Sequence, residues 1–178
     1  MAGDTITAID RARRVRIAAF DVDGILTDGR LYYTDSGEEI KTFNAHDGHG
    51  IKMLRDSGVA VAIITSRTSR VVERRARDLG IEHLFQGVSN KLDAMDGLLK
   101  RLGLDLQAAS YMGDDVIDLP VLRRCGLAVS VPEAPAVVRK YAHHVTGASG
   151  GCGAVREFSE WVMQAQGTLD ARLAEYLA

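Results

Sequence analysis

The chain has 178 residues, 46 % apolar and 26 % charged, with a net charge of −2; that is the balance of one globular domain with a full hydrophobic core. The charge leaves no basic excess to neutralise a phosphate backbone, so nucleic acid is not an expected partner. Cys125 and Cys152 are too few for a disulfide framework and lack metal-type spacing. No apolar run nears the ~18 residues of a membrane span and no signal-peptide core is evident, so a cytoplasmic protein without a membrane partner is expected.

Residues through Arg13 read as a polar lead-in or a short helix. The apolar run Val15–Phe20 then reads as a buried strand that ends in an acidic, glycine-bearing loop, DVDGILTDG, from Asp21 to Gly29. Leu31–Tyr33 and Glu39–Phe43 flank Asp35-Ser36-Gly37, a hairpin turn signal. From there one pattern recurs, helix then glycine then apolar strand. The helices end at Gly58, Gly80, Gly103 and Gly126, where a left-handed terminal residue is expected, with cations in the last turn favoured by the helix dipole. The strands that follow are Val59–Ile64, His83–Phe85, Ser110–Met112 and Leu127–Val131. Helical spacing at Val72, Ala76 and Leu79, and at Met95, Leu98, Leu99 and Leu102, supports the helices between them. His143-His144 belongs to an edge strand. A glycine-rich segment, Gly147–Gly153, leads to a helix with Val155, Phe158, Val162 and Ala165 on one face, and after Gly167 to a short amphipathic stretch with Leu169, Leu173 and Leu177. The rhythm predicts a doubly wound, Rossmann-like α/β fold: a parallel sheet covered on both faces, with a β-hairpin inserted after strand one. We expect a single domain over residues 1–178, with 154–178 as a helical tail.

Ligands of such sheets sit at the carboxyl ends of the strands. Those ends deliver Asp21 and Asp23, then Thr65-Ser66-Arg67, then Lys91 near a helix start, then Gly113-Asp114-Asp115 with Asp118 one turn on. Two carboxylates two residues apart repel, so a divalent cation and a phosphate are the expected guests. Asp21 can attack phosphorus and form an aspartyl-phosphate, splitting one hard step into two. A metal held by Asp21 and Asp114 keeps the nucleophile ionised, and Mg2+ suits oxygen ligands and substrate exchange. Asp23 can protonate the leaving oxygen and then deprotonate the attacking water. Thr65 and the N–H beside it can bind a phosphate oxygen, and Lys91 opposes charge on the transition state.

These segments, in this order, resemble the four motifs of the haloacid dehalogenase-type phosphohydrolases. Within that superfamily LTDGRLYYTDSGEEIKTFNAHDGHGIKML, TSR, VERRARDLGI, GDDVIDLPVL and GGCGAVRE are similar to the 3-deoxy-D-manno-octulosonate (KDO) 8-phosphate phosphatases, over roughly Arg16–Gly167. The resemblance implies Asp21 as nucleophile and metal ligand, Asp23 as acid/base with its main-chain carbonyl on the metal, and Asp114 as the third ligand, with Thr65 and Lys91 completing the catalytic set. Asp115 and Asp118 would orient Lys91 or metal waters. It implies substrate contacts from Asn44, Ala45, His46, Asp47, Gly48, Lys52, Arg67, Arg75 and Lys91. It also implies a Mg2+ enzyme acting on a sugar-acid phosphate in lipopolysaccharide precursor synthesis. Two departures stand out: Ser66 replaces a usual glycine, and Cys152 a usual basic residue.

Only 44 positions separate Asp21 from Thr65 and 26 separate Thr65 from Lys91, all consumed by the hairpin, helices and a strand. No cap domain fits there. A neighbouring subunit is expected to supply the missing wall through the hairpin and the glycine-rich tail, and the resemblance implies a homotetramer. Two other functions share this residue set: a phosphatase for a nine-carbon, sialic-acid-type 9-phosphate, favoured less by TFNAHDGHG, and a phospho-acceptor signalling or regulatory module. Receivers place the phosphorylated Asp on a later strand and lack DxDG followed by TDG. Retention of Asp21, Asp23, Lys91 and Asp114 together opposes an inactive regulatory relative. Zinc is not expected at His46 or His49, which lack a third ligand.

Overall fold

The computed structural model describes residues 6–177. The start of the lead-in, residues 1–5, and Ala178 lie outside the described residues. Helix α1 (Ala8–Ala12) is opened by a capping box between Thr7 and Asp10, the short-helix option of the sequence reading. Strand β1 (Ile17–Phe20) follows, buried along its whole length. Then come the two-residue strands β2 (Tyr32–Tyr33) and β3 (Glu39–Ile40), paired antiparallel. Helix α2 (Ala45–Asp56) is capped by Asn44, whose side chain accepts from the N–H groups of His46 and Asp47.

The alternating half runs β4 (Ala60–Ile64), α3 (Arg70–Leu79), β5 (His83–Phe85), α4 (Lys91–Leu102), β6 (Ala109–Met112), α5 (Leu119–Leu122), β7 (Leu127–Ser130), α6 (Ala136–Tyr141) and β8 (His144–Val145). Helices α7 (Ala154–Ala165) and α8 (Leu169–Ala174) close the chain. The main sheet has six parallel strands in the order β5-β4-β1-β6-β7-β8. Because β1 sits centrally and is clothed on both faces, it reads as a continuous apolar run rather than an alternating one. Phe158 of α7 meets Phe20 of β1 edge to face, with ring centroids 5.6 Å apart. The chain winds from β1 to β4 and β5 on one side, then crosses to β6 on the other. The β1/β6 boundary is therefore the topological switch point, where such sheets open a crevice.

Two details depart from the sequence reading. The hairpin strands are shorter than the predicted flanks, because this insertion has only its own two strands to pair with. Gly58, Gly80 and Gly103 adopt positive φ as expected, but Gly126 does not. Helix α5 ends at Leu122, and Gly126 is required for another reason: a Cβ there would run into the Gln107 carbonyl, and its own N–H donates to Leu106 O at 2.6 Å. Among the described residues there is no cap domain and no helix long and apolar enough to cross a membrane.

Candidate active site

The carboxyl ends of β1, β4 and β6 surround a cavity of about 210 Å³ lined by Asp21, Asp23, Gly29, Thr65, Ser66, Arg67, Asp114, Asp115 and Ile117. Asp21 is 5 % exposed. Its Oδ1 accepts from the Val22 N–H at 2.7 Å and its Oδ2 pairs with Lys91 Nζ at 2.8 Å. Lys91 is the first residue of α4, fixed there by Asn90, whose side chain accepts from Leu92 and Asp93 N–H. The same ammonium reaches Asp118 Oδ1 at 2.6 Å. Asp118 is fully buried and also accepts from the Tyr111 hydroxyl at 2.7 Å and from the N–H groups of Asp114 and Asp115, both at 3.1 Å. A buried carboxylate is tolerable only with such partners.

Burial and the nearby Asp118 push the Asp21 carboxyl up to about 6, against the downward pull of Lys91. Asp114 is pushed up to about 7 by burial, then by the charges of Asp21 and Asp118. For Lys91, burial works downward but Asp21 and Asp118 outweigh it, so the ammonium holds its proton above the usual lysine range. Burial and then Asp118 raise the Tyr111 phenol well above its ordinary value, so it stays a hydrogen-bond donor.

Asp21, Asp114 and Asp118 place carboxylate oxygens within 4.8 Å of one another, a spacing suited to one cation. Asp118 is already saturated by four donors, so it orients its neighbours. Asp114 is different: its Oδ1 is buried without a hydrogen-bond partner. Gly24, at φ 87°, lies so close that a Cβ there would strike the Asp114 carboxylate. An orphaned anionic oxygen facing a second buried carboxylate fits a hard divalent cation.

Asp23, two residues along, has a separate environment. Its Oδ1 is paired with Lys41, and its Oδ2 lies 3.6 Å from Arg67 Nε. Arg67 also donates to the Tyr33 hydroxyl at 2.9 Å and to Glu39 at 3.2 Å, joining the post-β4 loop to the hairpin. Thr65 is buried, and its hydroxyl accepts from the Arg67 N–H at 3.3 Å.

The expected residues thus fall into two groups. Asp21, Asp23, Thr65, Lys91, Asp114 and Arg67 converge at the strand ends. Asn44, Ala45, His46, Asp47, Gly48, Lys52 and Arg75 line no part of this chain's acidic cavity. Asn44 caps α2, and Arg75 donates to the Asn44 carbonyl at 3.1 Å beside Gly48. Asp47 is buried and accepts from the N–H groups of Gly153 and Arg156, capping α7. Ala45, His46 and Lys52 are exposed on α2. The glycine-rich segment packs on its own acidic loop, Gly151 N–H donating to Ile25 O at 2.9 Å. Sequence reasoning missed Lys41, which lies within the second hairpin flank Glu39–Phe43, and Tyr111, which lies within the apolar strand Ser110–Met112.

A buried carboxylate paired with a lysine, a buried hydroxyl and three carboxylates spaced for one cation thus meet at the β1/β6 switch point. Residues 83–157 match the family described as haloacid dehalogenase-like hydrolase. The chain is 46 % identical to 3-deoxy-D-manno-octulosonate 8-phosphate phosphatase of Escherichia coli (strain K12) over 162 residues, 91 % of this chain and 86 % of that protein. The crystal structure of the phosphatase of that name from Moraxella catarrhalis, in complex with magnesium ion, phosphate ion and KDO, superposes with a TM-score of 0.93 at 43 % identity, covering 95 % of this chain and 97 % of that one. A probable yrbI-family phosphatase from Pseudomonas syringae superposes at 0.94 with 53 % identity over 96 % and 97 % of the two chains. The chain belongs to the haloacid dehalogenase-like hydrolases and, among them, to the 3-deoxy-D-manno-octulosonate 8-phosphate phosphatase family. It is a phosphoric monoester hydrolase.

Proposed function

We propose that this protein hydrolyses 3-deoxy-D-manno-octulosonate 8-phosphate to KDO and phosphate, a step in lipopolysaccharide precursor synthesis, with Mg2+ as cofactor. The observation that carries the chemistry is the pairing of Asp21 with Lys91 opposite the unpartnered Asp114 oxygen. The substrate assignment is supported by the Escherichia coli relative and by the KDO and phosphate in the Moraxella catarrhalis structure. Asp21 and Asp114 would hold the metal through carboxylates. Asp23 would add its main-chain carbonyl, its side chain being engaged by Lys41 and Arg67. Bound Mg2+ supplies charge neutralisation and Lewis acidity at the phosphoryl oxygens.

An Asp21 oxygen attacks phosphorus and the P–O ester bond breaks, giving an aspartyl-phosphate. The departing alkoxide takes a proton from Asp23. Water then attacks the aspartyl-phosphate, returning its proton to Asp23 and freeing Asp21. Lys91 holds the nucleophile ionised and faces the transferring group, while Thr65 and the adjacent N–H groups receive its oxygens. Asn44–Gly48, Lys52, Arg67 and Arg75 contact the sugar acid, those on α2 and α3 doing so across a subunit boundary of a cytoplasmic homotetramer. The exposed Leu31, Tyr33 and Ile40 on the hairpin support such a boundary.

Phosphate release across a panel of eight- and nine-carbon sugar-acid phosphates with Mg2+ tests the substrate, and selectivity for the nine-carbon ester would overturn the assignment. Light scattering coupled to an activity assay tests the assembly; a fully active monomer is incompatible with it.

A further inference from the structure

Lys41 was not anticipated, and its surroundings differ from those of the other hairpin residues. Its side chain is only 2 % exposed and carries an ammonium flanked by two carboxylates, Asp23 and, at 3.3 Å, Glu39. Glu39 lies two residues away on the same hairpin arm, so that contact ties the hairpin to nothing else. Among the described residues, the one carboxylate beyond the hairpin that Lys41 meets is Asp23. Buried ammonium groups are retained where they are fully paired, and this one is paired to the group that must move a proton.

The two oxygens of Asp23 are held unequally. Oδ1 is bound by Lys41, which has almost no access to solvent. Oδ2 faces Arg67, whose side chain is 43 % exposed and more loosely placed at 3.6 Å. Arg67 is also linked to Tyr33 and Glu39, and it lines the acidic cavity with Asp23. A bound anion can draw the exposed guanidinium away, but not the buried ammonium.

We infer that Lys41 is a positioning residue for the hydrolysis. It pins Oδ1 of Asp23 so that Oδ2 is the oxygen presented to the leaving group, and it couples the hairpin to proton transfer. The inference rests on the proposed acid/base role of Asp23. If Lys41 merely anchored the hairpin, its loss would affect all substrates alike. If it aims Asp23, its loss matters in proportion to how badly the leaving group needs a proton.

The experiment compares Lys41→Met, Lys41→Arg, Asp23→Asn and the double variant Lys41→Met/Asp23→Asn, each with Mg2+. The substrates are KDO 8-phosphate, an alkyl ester, and para-nitrophenyl phosphate, whose leaving group departs unprotonated. For Lys41→Met we expect kcat on the alkyl ester to fall on the order of 10- to 100-fold, and on the aryl ester by less than about 3-fold, with KM little changed. Lys41→Arg should recover part of the alkyl rate. Adding Lys41→Met to Asp23→Asn should cost nothing further. Equal losses on both esters, or full additivity with Asp23→Asn, overturn the role of Lys41 and leave the acid/base reading standing. Failure of Asp23→Asn itself to discriminate the esters overturns that reading and this inference with it. Should Lys41→Met not fold, as judged by thermal unfolding, the alkyl-to-aryl ratio of Lys41→Arg decides: an unchanged ratio overturns the inference.

Discussion

Asp21 and Asp23 share one loop, yet they belong to different parts of the molecule. The partners of Asp21 come from the sheet and its helices: Lys91 from the start of α4, with Asp118 and Tyr111 behind it. Those of Asp23 come from the inserted hairpin and the loop after β4, namely Lys41 and Arg67. The first network is dry and its donors are matched to acceptors. The second is partly open, with Asp23 21 % and Arg67 43 % exposed at the side chain. In the proposed mechanism Asp21 is the nucleophile, which must be held in one line of attack, and a core network does that. The proposed proton donor, Asp23, is instead set by the inserted hairpin through Lys41.

Four perturbations would break or sharpen this contrast. The largest effect belongs to Asp21→Asn, which should lower turnover on the order of 10^4-fold or more while leaving the circular dichroism spectrum intact. Unchanged phosphate release would sink the nucleophile assignment. Next, Asp118→Ala strands the Tyr111 hydroxyl and two N–H groups and leaves the Lys91 ammonium with Asp21 alone. It should destabilise the fold by about 3–5 kcal/mol in urea unfolding, as for any broken buried pair. A loss below ~1 kcal/mol would mean the network is wetter than its burial indicates.

The third concerns pH and metal. Asp21 and Asp114 are raised to about 6 and about 7, from a usual value near 4. Both therefore favour the metal-free folded state below about pH 4, and that advantage is lost as pH rises through the folded values. Mg2+ needs the ionised forms, so its stabilisation should grow over the same window. At about 100 times its Kd it should reach ~2.7 kcal/mol, or roughly 5–11 °C in Tm, at pH 8 and far less at pH 5. A Mg2+ shift that is flat with pH would exclude these two carboxylates as the site. The smallest effect is Arg67→Ala, which should alter stability by less than ~1 kcal/mol because its ion pairs are exposed. It should raise KM for the sugar-acid ester more than for an aryl phosphate. Equal changes in both would assign Arg67 to the phosphoryl group.

Much of the first network was legible in the chain. Asp21, Lys91, Asp114 and Asp118 each follow a strand end or open a helix, so local pattern and strand order together bring them to one edge. The second network was hardly legible. Lys41 lies in a hairpin that pairs only with itself, and nothing in Glu39-Ile40-Lys41 says that the ammonium is turned inward to Asp23. Tyr111 in Ser110–Met112 read as an apolar strand residue because one hydroxyl does not alter a hydrophobic run. Gly126 shows the reverse error. The pattern predicts a left-handed helix end there, whereas the need is room beside the Gln107 carbonyl.

The sequence by itself determined the alternating α/β order, the hairpin after strand one and the acid, hydroxyl, lysine and acid series at the strand ends. Those follow from short-range periodicity and from the rule that parallel strands deliver side chains to a common edge. Only the tertiary structure decided that Asp114 keeps an unpaired oxygen, that Asp118 is spent on four donors, and that Asp47 caps α7. It alone decided that the hairpin grips Asp23 through Lys41. The physical reason is that hydrogen-bond partners of a buried charge are chosen by proximity in space, across up to 109 residues of chain for Asp47 and Arg156. Composition and spacing along the chain carry no record of that choice.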